Sequence, residues 1–532
     1  MAWGQAGARG IDDLVRRIAD NDAKLTSLTI LRQRRFTHDD VASLVRAMAA
    51  NTNLTELYAS SHPLAPHTAA LLADMLAASR SLRSLCVGDS SLGDDGVAAL
   101  ARGIASSSSL TRLDLCNKGL GVRGAQALAG ALTAAASLSH LILNSNPQLG
   151  DDGLRALCGE AADSSADGAD GAASGVGGGP PPPPPPPAAC WAGLRVLEVQ
   201  GCGVGAAGVR ALAASPGSCG RLEVVRLDGN PLGPEGGQAL RELLRAATRL
   251  RELHLRGTEL QDQGGEALAA GLAPATAGAS ASGSASSGGV SGVDGFAAAA
   301  CSPSLSSGGS SSLPLVYLDV ADCGLGHRSM VALRGAFAAG ARLQVLCLAG
   351  NPGLADADVA ALGTALAAGR LEATQAEAEA TSAPLAHLDV SGTGAGPEAV
   401  AALSEAVGLR HLSLVGCPLG AAGAAALAAS LSQPAGEEAA VAAEATCGRG
   451  PRRWGALREL CVSGTGLTGE GLAALFGALG AGGAPVLQSL EVGANPGNQE
   501  DSFEGLLDTL RAARPGLAVY WRSGDDPAPG ER

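Results

Sequence analysis

The chain has 532 residues, a formal net charge of −14 and 46% hydrophobic residues, yet only 2% aromatics. Without rings to fill one large core, the apolar content must be spread over many thin layers of Leu, Val and Ala, and the acidic balance excludes a surface built for phosphate backbones. The 12 cysteines form no CxxC pair, the N-terminal MAWGQAGARGIDDLV lacks an apolar signal core, and no run reads as a membrane span, so reduced thiols in an intracellular protein are expected.

In chain order, residues 1–24 carry a capping helix at IDDLVRRIA. Repeating units opening with LxxLxL fill 25–159, from Leu25, Leu54, Leu82, Leu110 and Leu138. A proline-rich insertion, 160–193, precedes further units in 194–272, which open at Leu194, Leu222 and Leu250. A Ser/Gly/Ala insertion covers 273–314, and units opening at Leu315 and Leu343 cover 315–370. After an insertion at 371–384, units from Leu385 and Leu409 fill 385–431. After another at 432–456, units from Leu457 and Leu487 and a C-terminal cap fill 457–522, leaving 523–532 as a tail. The cap is the strand-like LAVYWRS, whose Tyr520 and Trp521 are expected to cover the last layer. About fourteen units result, and uninterrupted neighbours such as Leu54, Leu82, Leu110 and Leu138 lie 28 residues apart.

The first two insertions are too poor in core formers to fold and are expected to be disordered. Pro180–Pro187 has the composition of a polyproline-II ligand for profilin, SH3 or WW partners. Basic anchors beside it are missing, which favours a neutral expansion.

Within a unit, the second and third leucines alternate with exposed residues, the period of a half-buried strand. Three residues on stands a small polar side chain (Asn146, Cys202, Asn230, Thr258, Cys323, Asn351, Thr393, Cys417, Thr465, Asn495) suited to satisfying backbone groups where the chain turns inward. A leucine and, four residues later, a glycine follow, as at Leu92–Gly96 and Leu232–Gly236. The glycine is expected to let the helix start approach its neighbour. Helical patterns such as VAALARGI and QALRELL complete the unit. Strand, turn and helix therefore stack into an α/β solenoid with a concave parallel sheet and convex helices.

Chemistry is sparse. Neither Lys24 nor Lys118 ends a GxxxxGK[ST] loop, and no HExxH or zinc-spaced Cys/His set occurs. Cys202, Cys323 and Cys417 recur at one unit position and read as structural. The GDDG stretches at 93–96 and 150–153 read as helix N-terminal acids rather than metal loops.

The concave face remains. The residue between the second and third leucines forms a column: Cys86, Asp114, Ile142, Glu198, Arg226, His254, Asp319, Cys347, Asp389, Ser413, Cys461 and Glu491. A second column holds Arg112, His140, Glu252, Tyr317, His387 and His411. Candidate protein-binding residues are Asp114, Glu198, Arg226, Asp228, His254, Arg256, Tyr317, Asp319, Asp389 and His411, with Tyr317 the best anchor because rings are scarce here. A contact surface and a merely solvated sheet are both open readings of these columns.

The pattern LxxLxLxxNxLxxxGxxALxxxL is similar to the leucine-rich repeat of ribonuclease inhibitor, and related repeats occur in Ran GTPase-activating proteins and in the sensor region of NOD-like receptors. The resemblance covers roughly residues 10–520 apart from the insertions. It implies a horseshoe that binds proteins by its concave sheet or rims. The pieces IADNDAKLTSLTI, ANTNLTEL and ADMLAASRSL also resemble the start of the tropomodulin repeats, as repeat grammar, while that family's actin-binding half has no counterpart. The expectation is a non-enzymatic, monomeric protein-binding scaffold with no cofactor, metal, nucleic-acid or membrane partner. Its expected place is the cytoplasm, with the cytoskeleton or ciliary axoneme as the finer placement. Alternatives are a Ran-type GTPase activator, whose long acidic tail is reduced here to SGDDPAPGER, and an actin- or dynein-regulatory component.

Overall fold

The computed structural model describes residues 10–159, 191–273, 314–368, 385–406, 408–432 and 453–522. The proline run, the Ser/Gly/Ala tract and the tail 523–532 lie outside the described residues, as does most of the two shorter insertions.

Among the described residues fifteen strands form one parallel sheet in strict chain order. They are β1 (Ser27–Thr29), β2 (Glu56–Ser60), β3 (Ser84–Gly88), β4 (Arg112–Asp114), β5 (His140–Ile142), β6 (Val196–Glu198), β7 (Val224–Arg226), β8 (Glu252–His254), β9 (Tyr317–Asp319), β10 (Val345–Cys347), β11 (His387–Asp389), β12 (His411–Ser413), β13 (Glu459–Cys461), β14 (Ser489–Glu491) and β15 (Ala518–Tyr520). A helix follows nearly every strand and packs beside the next one, which gives the expected α/β solenoid. The opening and strand leucines point inward: Leu82, Leu85, Leu113, Leu141, Leu197, Leu253 and Leu346 are fully or almost fully buried. Identical register at each step stacks like on like, so the core is one continuous leucine column rather than a set of separate cores.

The ends are lidded. Ile11 and Ile18, flanking and within the first helix (Asp12–Ala19), are fully buried over the first layer. At the other end the ring of Trp521 lies 4.9 Å from that of Phe503, and the Arg522 guanidinium sits over the indole.

Two lateral systems hold neighbouring units together. The first is the ladder of small polar side chains. Asn230 Oδ1 accepts from the backbone N–H of Cys202 and Val204 in the preceding unit, at 2.9 and 3.0 Å. Its Nδ2 donates to the carbonyls of Val199 and Leu227. Asn146, Asn351 and Asn495 repeat this pattern on the units of Lys118, Cys323 and Thr465. Units without Asn donate instead: the Cys202, Cys323 and Cys417 thiols reach the carbonyls of Leu143, Leu255 and Val390 at 3.0–3.1 Å. Burial pushes the Cys202 thiol up to about 11, so it stays a protonated donor.

The second system caps helices across units. The acids at helix starts do complement the helix dipole, but their oxygens serve the next unit. Asp151 Oδ1 accepts from Gly205 and Gly208 N–H, and Asp356 accepts from Gly396, Glu398 and Ala399. Asp262 accepts from Gly326, Arg328 and Ser329. The repeat glycine is explained by the same close packing. A Cβ on Gly96 would meet the Leu92 side chain of its own unit at 2.3 Å, and one on Gly208 would meet Asp151 at 2.7 Å. Crowding by the turn leucine thus adds to the expected approach of the neighbouring unit.

Two tryptophans stand at the described ends of insertions, each three residues before an opening leucine. Trp191 is fully buried and donates from Nε1 to the Leu157 carbonyl at 3.2 Å. Trp454 is buried likewise and donates to Ser430 Oγ at 2.8 Å. The helix before Trp191 has 8 residues where the preceding one has 13, and the indole fills the space left by the shorter helix.

Three outcomes follow from this packing. Asn230→Ala strands two N–H and two C=O groups in a buried turn and is expected to cost about 3–5 kcal/mol, read as a lowered denaturant midpoint. Trp191→Ala opens a cavity and is expected to cost about 3–5 kcal/mol, with Trp191→Phe milder. Burial raises the Asp262 carboxyl, but hydrogen bonds from Ser329, Arg328 and Gly326 outweigh it and hold it below the ordinary aspartate range. A depressed carboxyl stabilises above its unfolded pKa and loses that contribution as the pH falls through the folded value. The stability gap between wild type and Asp262→Asn is therefore expected to be full at neutral pH and to close below about pH 4 in acid titrations followed by circular dichroism.

Candidate functional site

Because every strand pairs in register, the residues flanking each central leucine form two straight columns on the concave sheet, with rungs about 4.8 Å apart. Glu198, Arg226, His254 and Asp319 are consecutive in one column, and Glu252 and Tyr317 are consecutive in the other. Asp228 and Arg256 lie one step beyond their strands on the same face. Seven predicted residues on β6–β9 thus share one surface.

These side chains engage one another. The His254 and Tyr317 rings stack at 4.5 Å with a 28° interplanar angle. Arg226 reaches Glu198 at 3.6 Å, and Glu198 accepts from Asn144 at 3.0 Å. Asp228 accepts from the Arg256 backbone N–H and from the Gln200 amide, while the Arg256 guanidinium pairs with Asp322 at 2.9 Å. That pair is half exposed and adds little stability, but it fixes the direction of the arginine. Burial, followed by the charges of Asp319, Cys347, Asp228 and Glu252, pushes the Tyr317 phenol up to about 12. It remains a neutral hydroxyl, with no hydrogen-bond partner among the described residues.

Two polar atoms in this group are shielded and have no hydrogen-bond partner among the described residues: Arg226 Nε, and His254 Nε2, which faces the Glu252 carboxylate at 3.7 Å. They belong to directly paired rungs. Such groups cost about 1–3 kcal/mol each unless a partner is supplied.

The other predicted residues stand apart. Asp114 lies on β4, separated from Glu198 by Ile142. Asp389 and His411 lie beyond β10, where Asp389 accepts from Ser391 and faces the Cys347 thiol at 3.7 Å. His411 pairs with Glu459 at 2.8 Å, and its ring stacks on that of His387 at 5.6 Å. Burial, with His411 and Arg410 nearby, lowers the His387 pKa.

Part of the column is not exposed as expected. Cys86, Ile142, Ser413 and Cys461 are buried by the side chains packed around them on the sheet. Asp322 was not among the candidates. It holds Arg256 from a position of left-handed backbone, φ 54°, that glycine fills in other units such as Gly229, Gly257 and Gly350, and an acid at that position is the signal that marks it. Among the described residues no group of three or more His, Cys, Asp or Glu is placed to hold a metal, and no helix is long and apolar enough to cross a membrane.

A family model described as leucine-rich repeat matches residues 78–101, 134–158, 194–213, 247–269 and 409–428. No curated protein matches the sequence. Among solved structures, the yeast Rad7–Elc1 complex is similar over 93% of this chain and 87% of that one, at 13% identity and a TM-score of 0.39. A TLR13–ssRNA13 complex is similar over 84% of this chain and 43% of that one, at 13% identity and a TM-score of 0.38. The actin-binding site 2 of leiomodin-1 covers 25% of this chain and 77% of its own length, at 19% identity and a TM-score of 0.22. Five family matches between β3 and β12, on a solenoid of one strand and one helix per unit, make this chain a leucine-rich-repeat protein.

Proposed function

We propose that the protein is a non-catalytic scaffold that binds a protein partner through the concave face of β6–β9. The observation that carries this reading is the His254–Tyr317 stack, whose tyrosine hydroxyl has no hydrogen-bond partner among the described residues, set on one surface with Glu198, Arg226 and Asp319. A polar group on a docked chain would satisfy the Tyr317 hydroxyl, and the tyrosine ring supplies rigid contact area at small entropic cost. Asp319 and Asp322 beside it favour a partner whose contacting segment carries donors or positive charge. The Cys202, Cys323 and Cys417 thiols are committed to the core, which supports binding rather than thiol chemistry.

Proximity labelling in the source cells, with wild type compared to Tyr317→Ala/Asp319→Asn, tests the reading. The variant is expected to lose specific partners, with affinity for an isolated partner reduced about 30-fold or more. An unchanged set of partners sinks the concave-face assignment.

A further inference from the structure

The two long edges of the solenoid treat charge differently. On the edge where strands end and helices begin, carboxylates are consumed internally: Asp94, Asp151, Asp262 and Asp356 each accept backbone N–H groups of the next unit. On the opposite edge, where helices end and strands begin, arginines accumulate and are left uncompensated. Arg221 and Arg249 occupy the same position in adjacent units, just before the opening leucine, and Arg342 occupies it two units beyond Arg249. Arg251 lies in the rung just before β8, joined to Glu223 and Val316 by backbone hydrogen bonds. Arg410 and Arg458 are neighbours in that same ladder, the Arg458 N–H donating to the Arg410 carbonyl.

All six side chains are exposed. Among the described residues no carboxylate pairs with any of them; Arg221 donates to the Ala192 carbonyl, which leaves its charge uncancelled. Glu223, the nearest acid in the ladder, is already paired with Arg195 at 2.8 Å. Like charges on adjacent rungs repel. Helix C-termini on this edge offer only partial negative charge, and that fades within a turn. A chain with 51 acidic residues and 37 basic ones has carboxylates to spare, yet none of the described ones is spent here.

We infer that this arginine edge, from Arg221 to Arg342 and on to Arg410 and Arg458, is a second interaction surface, one that binds an extended acidic peptide segment of a partner protein. Guanidinium forks match carboxylates in a bidentate way, and rungs about 4.8 Å apart present a row that a strand-like peptide follows. No aromatic side chain accompanies these arginines in the two edge positions, so a stacking platform for bases is missing among the described residues. The surface is separate from the concave one and stands or falls independently of it.

Fluorescence anisotropy with a labelled decaglutamate peptide on the full chain tests the inference. Binding is expected to exceed that of a neutral Gly/Ser peptide and to weaken as salt rises. Arg249→Glu/Arg251→Glu is expected to weaken it by about tenfold or more, Arg410→Glu/Arg458→Glu is expected to weaken it as well, and Tyr317→Ala is expected to leave it unchanged. Circular dichroism spectra equal to wild type show that the variants fold. Equal binding of the neutral peptide, or full affinity in both charge-reversed variants, overturns the inference. So does stronger binding of single-stranded RNA or of anionic vesicles than of decaglutamate. Probe affinity that rises when Glu160, Asp163, Asp167 and Asp170 are changed to amides also overturns it, by making the chain's own acidic segment the occupant.

Discussion

A solenoid turns its backbone inward once per unit, and every such turn carries N–H and C=O groups that neither strand nor helix can reach. Burying them unpaired in each of about fifteen turns would cost more than a typical domain's net stability. The asparagine ladder solves this. One amide side chain can accept from two N–H groups and donate to two carbonyls, spanning two units at once. At Cys202, Cys323 and Thr465 the next Asn takes the backbone N–H groups of the turn, which leaves the Cys or Thr side chain only a carbonyl to donate to. The flat register of the sheet, and with it the alignment of surface columns, depends on this bonding.

Much of the architecture was legible because it is periodic. The 28-residue spacing, the inward leucines and the final strand at Ala518–Tyr520 follow from patterns that local physics repeats. Features that break the period, or act between units, left a weaker trace. Trp191 and Trp454 sit in stretches that composition assigns to insertions, yet each plugs the end of the preceding unit. Asp151 and Asp262 carry the residue type of a local helix acid, but sequence spacing does not show that their oxygens serve the next helix across an insertion.

The surface was legible only in part. Alternation identifies which residues leave the concave sheet, and Glu198, Arg226, His254, Tyr317 and Asp319 come together as column members should. Alternation reports which face a side chain leaves from and not how closely its neighbours pack, so it cannot show that Cys86 and Ile142 are buried. Nor does it show pairing beyond the strands, such as Arg256 with Asp322.

The two lateral systems run in opposite directions along the chain. Four turns lean on the asparagine of their successor, and four helix starts lean on the aspartate of their predecessor. Severing the protein between two such units would fray both halves, so the stack has no natural seam. Among the described residues neither lacing runs on the side where a helix hands over to the next strand. All four breaks in the period open there, between residues 159 and 191, 273 and 314, 368 and 385, and 432 and 453. Extra chain can be spliced into that side at small cost, which explains how a rigid stack accommodates long interruptions without losing step.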